Sequence, residues 1–165
     1  MCSLVDIKLV NKVSDELKKH QVTIATAESC TGGLLAHTLT NVSGSSEYFD
    51  RGVICYSNIA KMELLNIPEQ LLTNYGAVSK QVATAMAKAI RQCAQVDIGI
   101  ATTGIAGPTG GTKDKPVGLV FIGVSTKDIV VVKEFRFSGD RLTNKDSTCT
   151  AALEFLLETI SQNKG

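Results

Sequence analysis

The chemistry open to this chain rests on six hydroxyls and one lysine. Ser29 and Thr31 stand in Ala27-Glu28-Ser29-Cys30-Thr31-Gly32-Gly33; Ser45 and Ser46 follow a break at Ser43-Gly44; Tyr56 precedes Lys61 by five residues; Thr103 opens Gly104-Ile105-Ala106-Gly107. The two histidines, His20 and His37, are not well placed, so a Ser-His-Asp triad or a His-based zinc site has little to draw on. A serine nucleophile without histidine needs another base. Lysine serves once desolvation lowers its pKa, and a tyrosine can relay the proton. Backbone N–H groups in glycine-rich turns can hold the oxyanion.

Each group also has a structural reading. Ser45 and Ser46 can simply cap and turn. Tyr56 can pack its ring, and Lys61 can be a solvated charge. Glu28 is either a buried orienting carboxylate or a charge at a helix N-terminus. His37 fits a surface or core position better than a catalytic one. Cys30, with no histidine partner, is not expected to act as a thiol nucleophile. Arg141 and Lys145, four apart at the start of a helix, are in the first place solvent-facing charges; a positive charge there is electrostatically misplaced, which leaves an anion partner as the alternative.

The elements that must position these groups follow from periodicity. Leu4, Ile7, Val10, Val13 and Leu17 predict an amphipathic helix over 3–20. Strands are predicted over 22–26, 52–57, 97–102, 117–124 and 129–137. Helices are predicted over 31–42, 59–65 capped by Asn58, 68–74 with Pro68 at its first position, and 79–94 capped by Ser79. A last helix carries Ala152, Leu153, Leu156, Leu157 and Ile160. The order α-β-α-β-α-α-β-β-β-α predicts an α/β fold: a three-layer α/β/α sandwich with a mixed sheet, as a single domain over 1–165 with its core at about 5–160. Four loops rich in Ser, Thr and Gly, at 27–33, 43–50, 103–116 and 138–145, are expected at strand ends, with at least two of them converging. The strand–turn–helix at 27–33 also offers the amides of Thr31, Gly32 and Gly33 to an anion.

Composition sets the bounds. The 165 residues are 44% hydrophobic and 20% charged, as in a folded domain with a real core. The net charge of +1, 5% aromatics and absence of tryptophan give no nucleic-acid signature. No apolar run is long enough for a membrane span, and Met1 to Lys8 lacks the features of a secretory signal. The five cysteines, Cys2, Cys30, Cys55, Cys93 and Cys149, are odd in number and form no C-x-x-C pair. They point to a reducing, cytoplasmic setting.

Taken in order, Thr26 to Gly33, Gly44-Ser45-Ser46, Arg51-Gly52 with Tyr56-Ser57-Asn58 and Lys61, Gly76-Ala77-Val78-Ser79, Gly104 to Pro108 with Gly110-Gly111, Lys115-Pro116-Val117-Gly118, and Phe137 to Arg141 form one ordered set. The set closely resembles the CinA C-terminal domain family, the nicotinamide-nucleotide amidases, over about residues 5–160. The resemblance implies hydrolysis of the carboxamide of nicotinamide mononucleotide to nicotinate mononucleotide and ammonia, in NAD salvage, without metal or organic cofactor. It also implies the stand-alone form of a competence/damage-inducible protein, and a homodimer. By the family pattern the nucleophile is placed at Ser46 with Lys61 and Tyr56 as partners, Ser29 being the second choice. Thr31, Gly32, Gly33, Ser45, Thr103, Gly104, Ala106, Gly107, Arg141 and Lys145 are the expected substrate contacts. Lys145 stands where the family often has a second arginine; it keeps the charge and loses the bidentate fork. Thr103 replaces a common serine. Two readings compete with the amidase: a nucleotide-binding module without turnover, and a protein-interaction domain.

Overall fold

The computed structural model describes residues 5–162; Cys2, residues 3–4 of the first expected helix and the tail at 163–165 lie outside them. In chain order the elements are α1 (Ile7–Lys19), β1 (Ile24–Glu28), α2 (Leu34–Thr40), a turn of 3-10 helix (Ser45–Glu47), β2 (Phe49–Ile54), α3 (Asn58–Leu65), α4 (Glu69–Tyr75), α5 (Lys80–Ala94), β3 (Ile98–Gly104), β4 (Leu119–Ser125), β5 (Val130–Arg136) and α6 (Arg141–Gln162). Every expected helix and strand is present. Two caps differ by one position: Ser57 rather than Asn58 caps α3, its Oγ accepting the Ala60 N–H, and Pro68 precedes α4 as its cap.

The five strands form one mixed sheet in the order β2-β1-β3-β4-β5. β1 runs parallel to both β2 and β3, while β4 and β5 are antiparallel additions. β1 is buried at all five positions, as a central strand covered on both faces must be. Its alternation divides the core. Ile24 faces a cluster with α1, α2 and α6, built on Val13, Leu17, Leu35, Ile100, Ile122 and Leu153. Ala25 and Ala27 face a second cluster with α3, α4 and α5, built on Leu65, Leu72, Val82, Met86 and Ile90. This is the expected three-layer α/β/α arrangement.

The second face is floored with small residues, and α5 sits close upon it. A Cβ on Gly99 would come within 2.3 Å of the Ala87 carbonyl oxygen, and one on Gly123 within 2.7 Å of the Ala83 carbonyl oxygen. These are backbone contacts, which cannot swing away. Gly99→Ala is therefore expected to overpack this layer and cost about 1–3 kcal/mol. Thermal unfolding checks this: a Tm lower by several degrees supports the close approach, and an unchanged Tm contradicts it.

Candidate active site

In a parallel β–α arrangement the segments leaving strand carboxyl ends share one edge of the sheet. Ser29 directly follows β1, and Lys61 lies on α3 after β2, so both occupy that edge. Ser29 continues the phase of Ala25 and Ala27, which turns it toward the α3 side. On α3, Lys61 and Leu65 stand one turn apart and are both buried. Lys61 is only 1% exposed, which for a lysine demands a local explanation.

The explanation is three acceptors. Lys61 Nζ donates to the Cys55 carbonyl at 2.9 Å, to Ser29 Oγ at 3.0 Å and to the Tyr56 carbonyl at 3.4 Å. None of the ion pairs among the described residues involves Lys61. The adjacent carboxylate, Glu28, is turned to the other face and occupied there: its oxygens accept the N–H groups of Gly33 and Leu35 at 3.0 Å and of Ala36 at 2.7 Å. Glu28 is thus the charge at the amino end of α2. Burial pushes the Lys61 ammonium below its ordinary value. Burial likewise pushes the Cys30 thiol up to about 12 and raises Cys55, so both thiols are neutral at neutral pH and no anion offsets the effect. Cys30 is therefore an inert thiol, as its lack of a histidine partner implied.

The other expected residues divide sharply. Ser46 does not meet Lys61. Ser45 and Ser46 form the 3-10 turn before β2, at its amino end, whereas Lys61 follows its carboxyl end. At about 3.3 Å per residue, the strand between them sets the two on the order of 15–20 Å apart. The serine in contact with Lys61 is Ser29, which corrects the expected pairing of Ser46 with that lysine. Tyr56 offers Lys61 only its backbone carbonyl; its exposed side chain is turned away, and the phenol oxygen accepts a hydrogen bond from Arg141 Nη2 at 2.7 Å. It is not placed as a proton relay to the lysine.

The glycine amides are also not free. Gly32 N–H donates to Ser29 O at 3.2 Å, and Gly33 N–H is taken by Glu28. Among the described residues, the N–H groups of Cys30 and Thr31 donate to no other residue. Thr31 Oγ1 lies 2.7 Å from Thr102 Oγ1 in a buried pair. Thr103 donates its hydroxyl proton to the Ala77 carbonyl at 2.8 Å, anchoring the turn before α5 and leaving its oxygen only as an acceptor.

The loop after β3 does converge with the start of α6. Arg141 Nη1 donates to the Gly107 carbonyl at 2.7 Å, and Asn144 Nδ2 to the Ala106 carbonyl at 3.0 Å. Arg141 is exposed, and its hydrogen-bond partners among the described residues are neutral: the Gly107 carbonyl and the Tyr56 hydroxyl. Lys145 reaches the opening turn: a Cβ on Gly32 would lie 3.6 Å from its Nζ. Asn144 was missed in the sequence, where one asparagine in the first turn of a helix gives no signal of its own. So the edge holds a buried Ser29–Lys61 pair, two N–H groups that donate to no other described residue, and two cations, Arg141 and Lys145.

A lysine with a lowered pKa binds fewer protons in the folded than in the unfolded chain, so its contribution to stability grows as pH rises. Relative to Lys61→Met, the wild type is expected to gain stability as pH rises from the lowered folded-state value toward the unfolded lysine value of about 10.4, with a slope of at most about 1.4 kcal/mol per pH unit. Urea unfolding of both proteins across that range checks this. Parallel pH profiles would contradict a lowered Lys61.

Known proteins carry the same architecture. The family model of the CinA C-terminal domain matches residues 6–160. A competence-damage inducible protein of Caldicellulosiruptor bescii is 55% identical over 144 residues, 87% of this chain and 35% of the relative. A CinA-like protein of Syntrophus aciditrophicus is 47% identical over 152 residues, 92% of this chain and 36% of the relative. The chain thus spans about a third of the length of these curated relatives. Among solved structures, the competence/damage inducible protein CihA from Agrobacterium tumefaciens superposes with a TM-score of 0.91 at 37% identity, covering 95% of this chain and 98% of the other. A CinA superfamily protein from Escherichia coli gives a TM-score of 0.90 at 33% identity, covering 96% and 93%. With sequence and fold in agreement over nearly its whole length, this chain belongs to the CinA C-terminal domain family.

Proposed function

We propose that this chain hydrolyses the carboxamide of nicotinamide mononucleotide to nicotinate mononucleotide and ammonia, with Ser29 as nucleophile and Lys61 as its base. The observation that carries the reading is the buried Lys61 amine, 3.0 Å from Ser29 Oγ and without an acidic partner. The ordered motifs shared with the nicotinamide-nucleotide amidases supply the substrate.

In its neutral form the lysine has two N–H donors and one lone pair. The Cys55 and Tyr56 carbonyls can only accept, so they take the two N–H groups and leave the lone pair for the Ser29 hydroxyl. Ser29 Oγ bonds to the carboxamide carbon while its proton passes to Lys61 Nζ. The carbonyl oxygen becomes an oxyanion, for which the N–H groups of Cys30 and Thr31 are the available donors. The C–N bond then breaks, Lys61 returns the proton to the departing nitrogen, and ammonia leaves an ester on Ser29. Water attacks that ester, Lys61 accepts its proton, and Ser29 leaves as the hydroxyl with the proton returned. Nicotinate mononucleotide departs as the carboxylate. Arg141 and Lys145 supply positive charge for the phosphate, and no step requires a metal ion.

Purified protein should release ammonia from nicotinamide mononucleotide in the presence of a chelator. Ser29→Ala and Lys61→Ala should each lose about a thousandfold or more in kcat/KM while remaining folded, and Ser46→Ala should stay within about twofold of wild type. Because the base must be neutral, kcat/KM should rise with pH along its acidic limb. Tight nucleotide binding without ammonia release would favour a binding module instead. A full rate in Ser29→Ala with loss in Ser46→Ala would restore the assignment drawn from the family pattern.

A further inference from the structure

Asn144 is a polar side chain beside the site that the scheme above leaves unused. It is 1% exposed, and its carboxamide makes three hydrogen bonds. Gly139 N–H donates to Oδ1 at 3.0 Å, while Nδ2 donates to the Gly139 carbonyl at 2.9 Å and to the Ala106 carbonyl at 3.0 Å. Gly139 presents a donor and an acceptor to the same amide, so the partners fix its orientation; a flipped amide would set N–H against N–H and oxygen against oxygen.

The result is a staple between two segments distant in sequence. One is the loop after β3, at Ala106; the other is the approach to α6, at Gly139. Arg141, three residues before Asn144, reaches the same loop at the Gly107 carbonyl. Lys145, one residue after it, sits beside Gly32. Between the stapled segments lies a cavity of about 440 Å³, walled by Ala106, Pro108, Val117, Arg141 and Leu142. A buried asparagine in a helix is favoured neither by propensity nor by transfer from water, so this one is held by its three bonds.

We propose that Asn144 is a positioning residue: its staple fixes Arg141 and Lys145, which face the anionic end of the substrate, relative to the Ser29–Lys61 pair at the reacting end. The identity of that anion rests on the amidase reading; the staple does not. In Asn144→Asp the carboxylate still accepts from Gly139 N–H but cannot donate to either carbonyl, so the two segments should part. Groups that only orient the remote end of a substrate show themselves in KM rather than kcat.

Asn144→Asp should therefore raise KM for nicotinamide mononucleotide by about 10- to 100-fold with kcat within about threefold of wild type. In an Arg141→Ala/Lys145→Ala background the same substitution should change KM by less than about twofold, because the residues it acts through are gone. Amide hydrogen exchange should accelerate over 104–107 and 139–141 and stay unchanged over 55–61. Should Asn144→Asp fail to fold, Gly139→Ala carries the test: its Cβ would meet Thr143 Cγ2 at 2.6 Å and Asn144 Oδ1 at 3.3 Å, and it should give the same rise in KM. An unchanged KM, a fall in kcat at constant KM, effects that multiply with the Arg141→Ala/Lys145→Ala pair, or unchanged exchange over 104–107 would each overturn the proposal. A wild type that released no ammonia would sink the amidase reading instead, and the exchange result would still decide whether the staple exists.

Discussion

The site depends on one amine taken out of water with no acid beside it. A lysine buried this way is tolerated only if its hydrogen-bonding directions are filled, and here two are filled by the backbone carbonyls of Cys55 and Tyr56. Those carbonyls stand where they do because β2 ends at Ile54 and the chain turns immediately into α3. The Cys55 N–H closes the turn by donating to the Glu28 carbonyl at 2.9 Å, so the last residue of β1 holds the floor beneath the amine. With two directions fixed, the third points at Ser29. Placing a carboxylate here would hold the lysine charged and remove its capacity as a base.

The placement of Glu28 follows the same logic. Its side chain lies on the opposite face of β1 from Ser29, and it spends its charge on three N–H groups at the amino end of α2. Two adjacent residues on one strand end thus perform opposed tasks. Glu28 neutralises a helix terminus on one face, and Ser29 meets an uncompensated amine on the other. The period-two alternation of a strand keeps them apart, and a one-residue slip in register would exchange them. The small residues of the second face, Ala25, Ala27, Gly99 and Gly123, bring α5 close to the sheet.

Much of this was legible in the chain. Strand alternation, the breaks at glycine and the helical stripes gave the element order and the layered fold, because those signals are local. The scarcity of histidine pointed to lysine as base, and Lys61 is the buried one. Ser46 was placed by the family pattern, which carries no distances: β2 intervenes between it and Lys61, so a serine fifteen residues from Lys61 is farther off than one thirty-two residues away. Tyr56 misled similarly, since its backbone faces the lysine and its phenol faces Arg141. The glycine amides of the opening turn looked free because nothing in the sequence shows that Glu28 folds back on them. Thr103 and Asn144 are tertiary ties, invisible until the loop after β3 is placed.

The central claim, that Lys61 is a lysine poised to lose its proton beside Ser29, is open to direct observation. Selective isotopic labelling of lysine and an NMR titration of the Lys61 side chain, assigned by its absence from a Lys61→Met spectrum, would follow its protonation in the folded protein. The account predicts a midpoint clearly below the ordinary lysine value of 10.5, with a shift in that midpoint when Ser29 is replaced by alanine. A midpoint at or above 10.5, insensitive to Ser29, would contradict it.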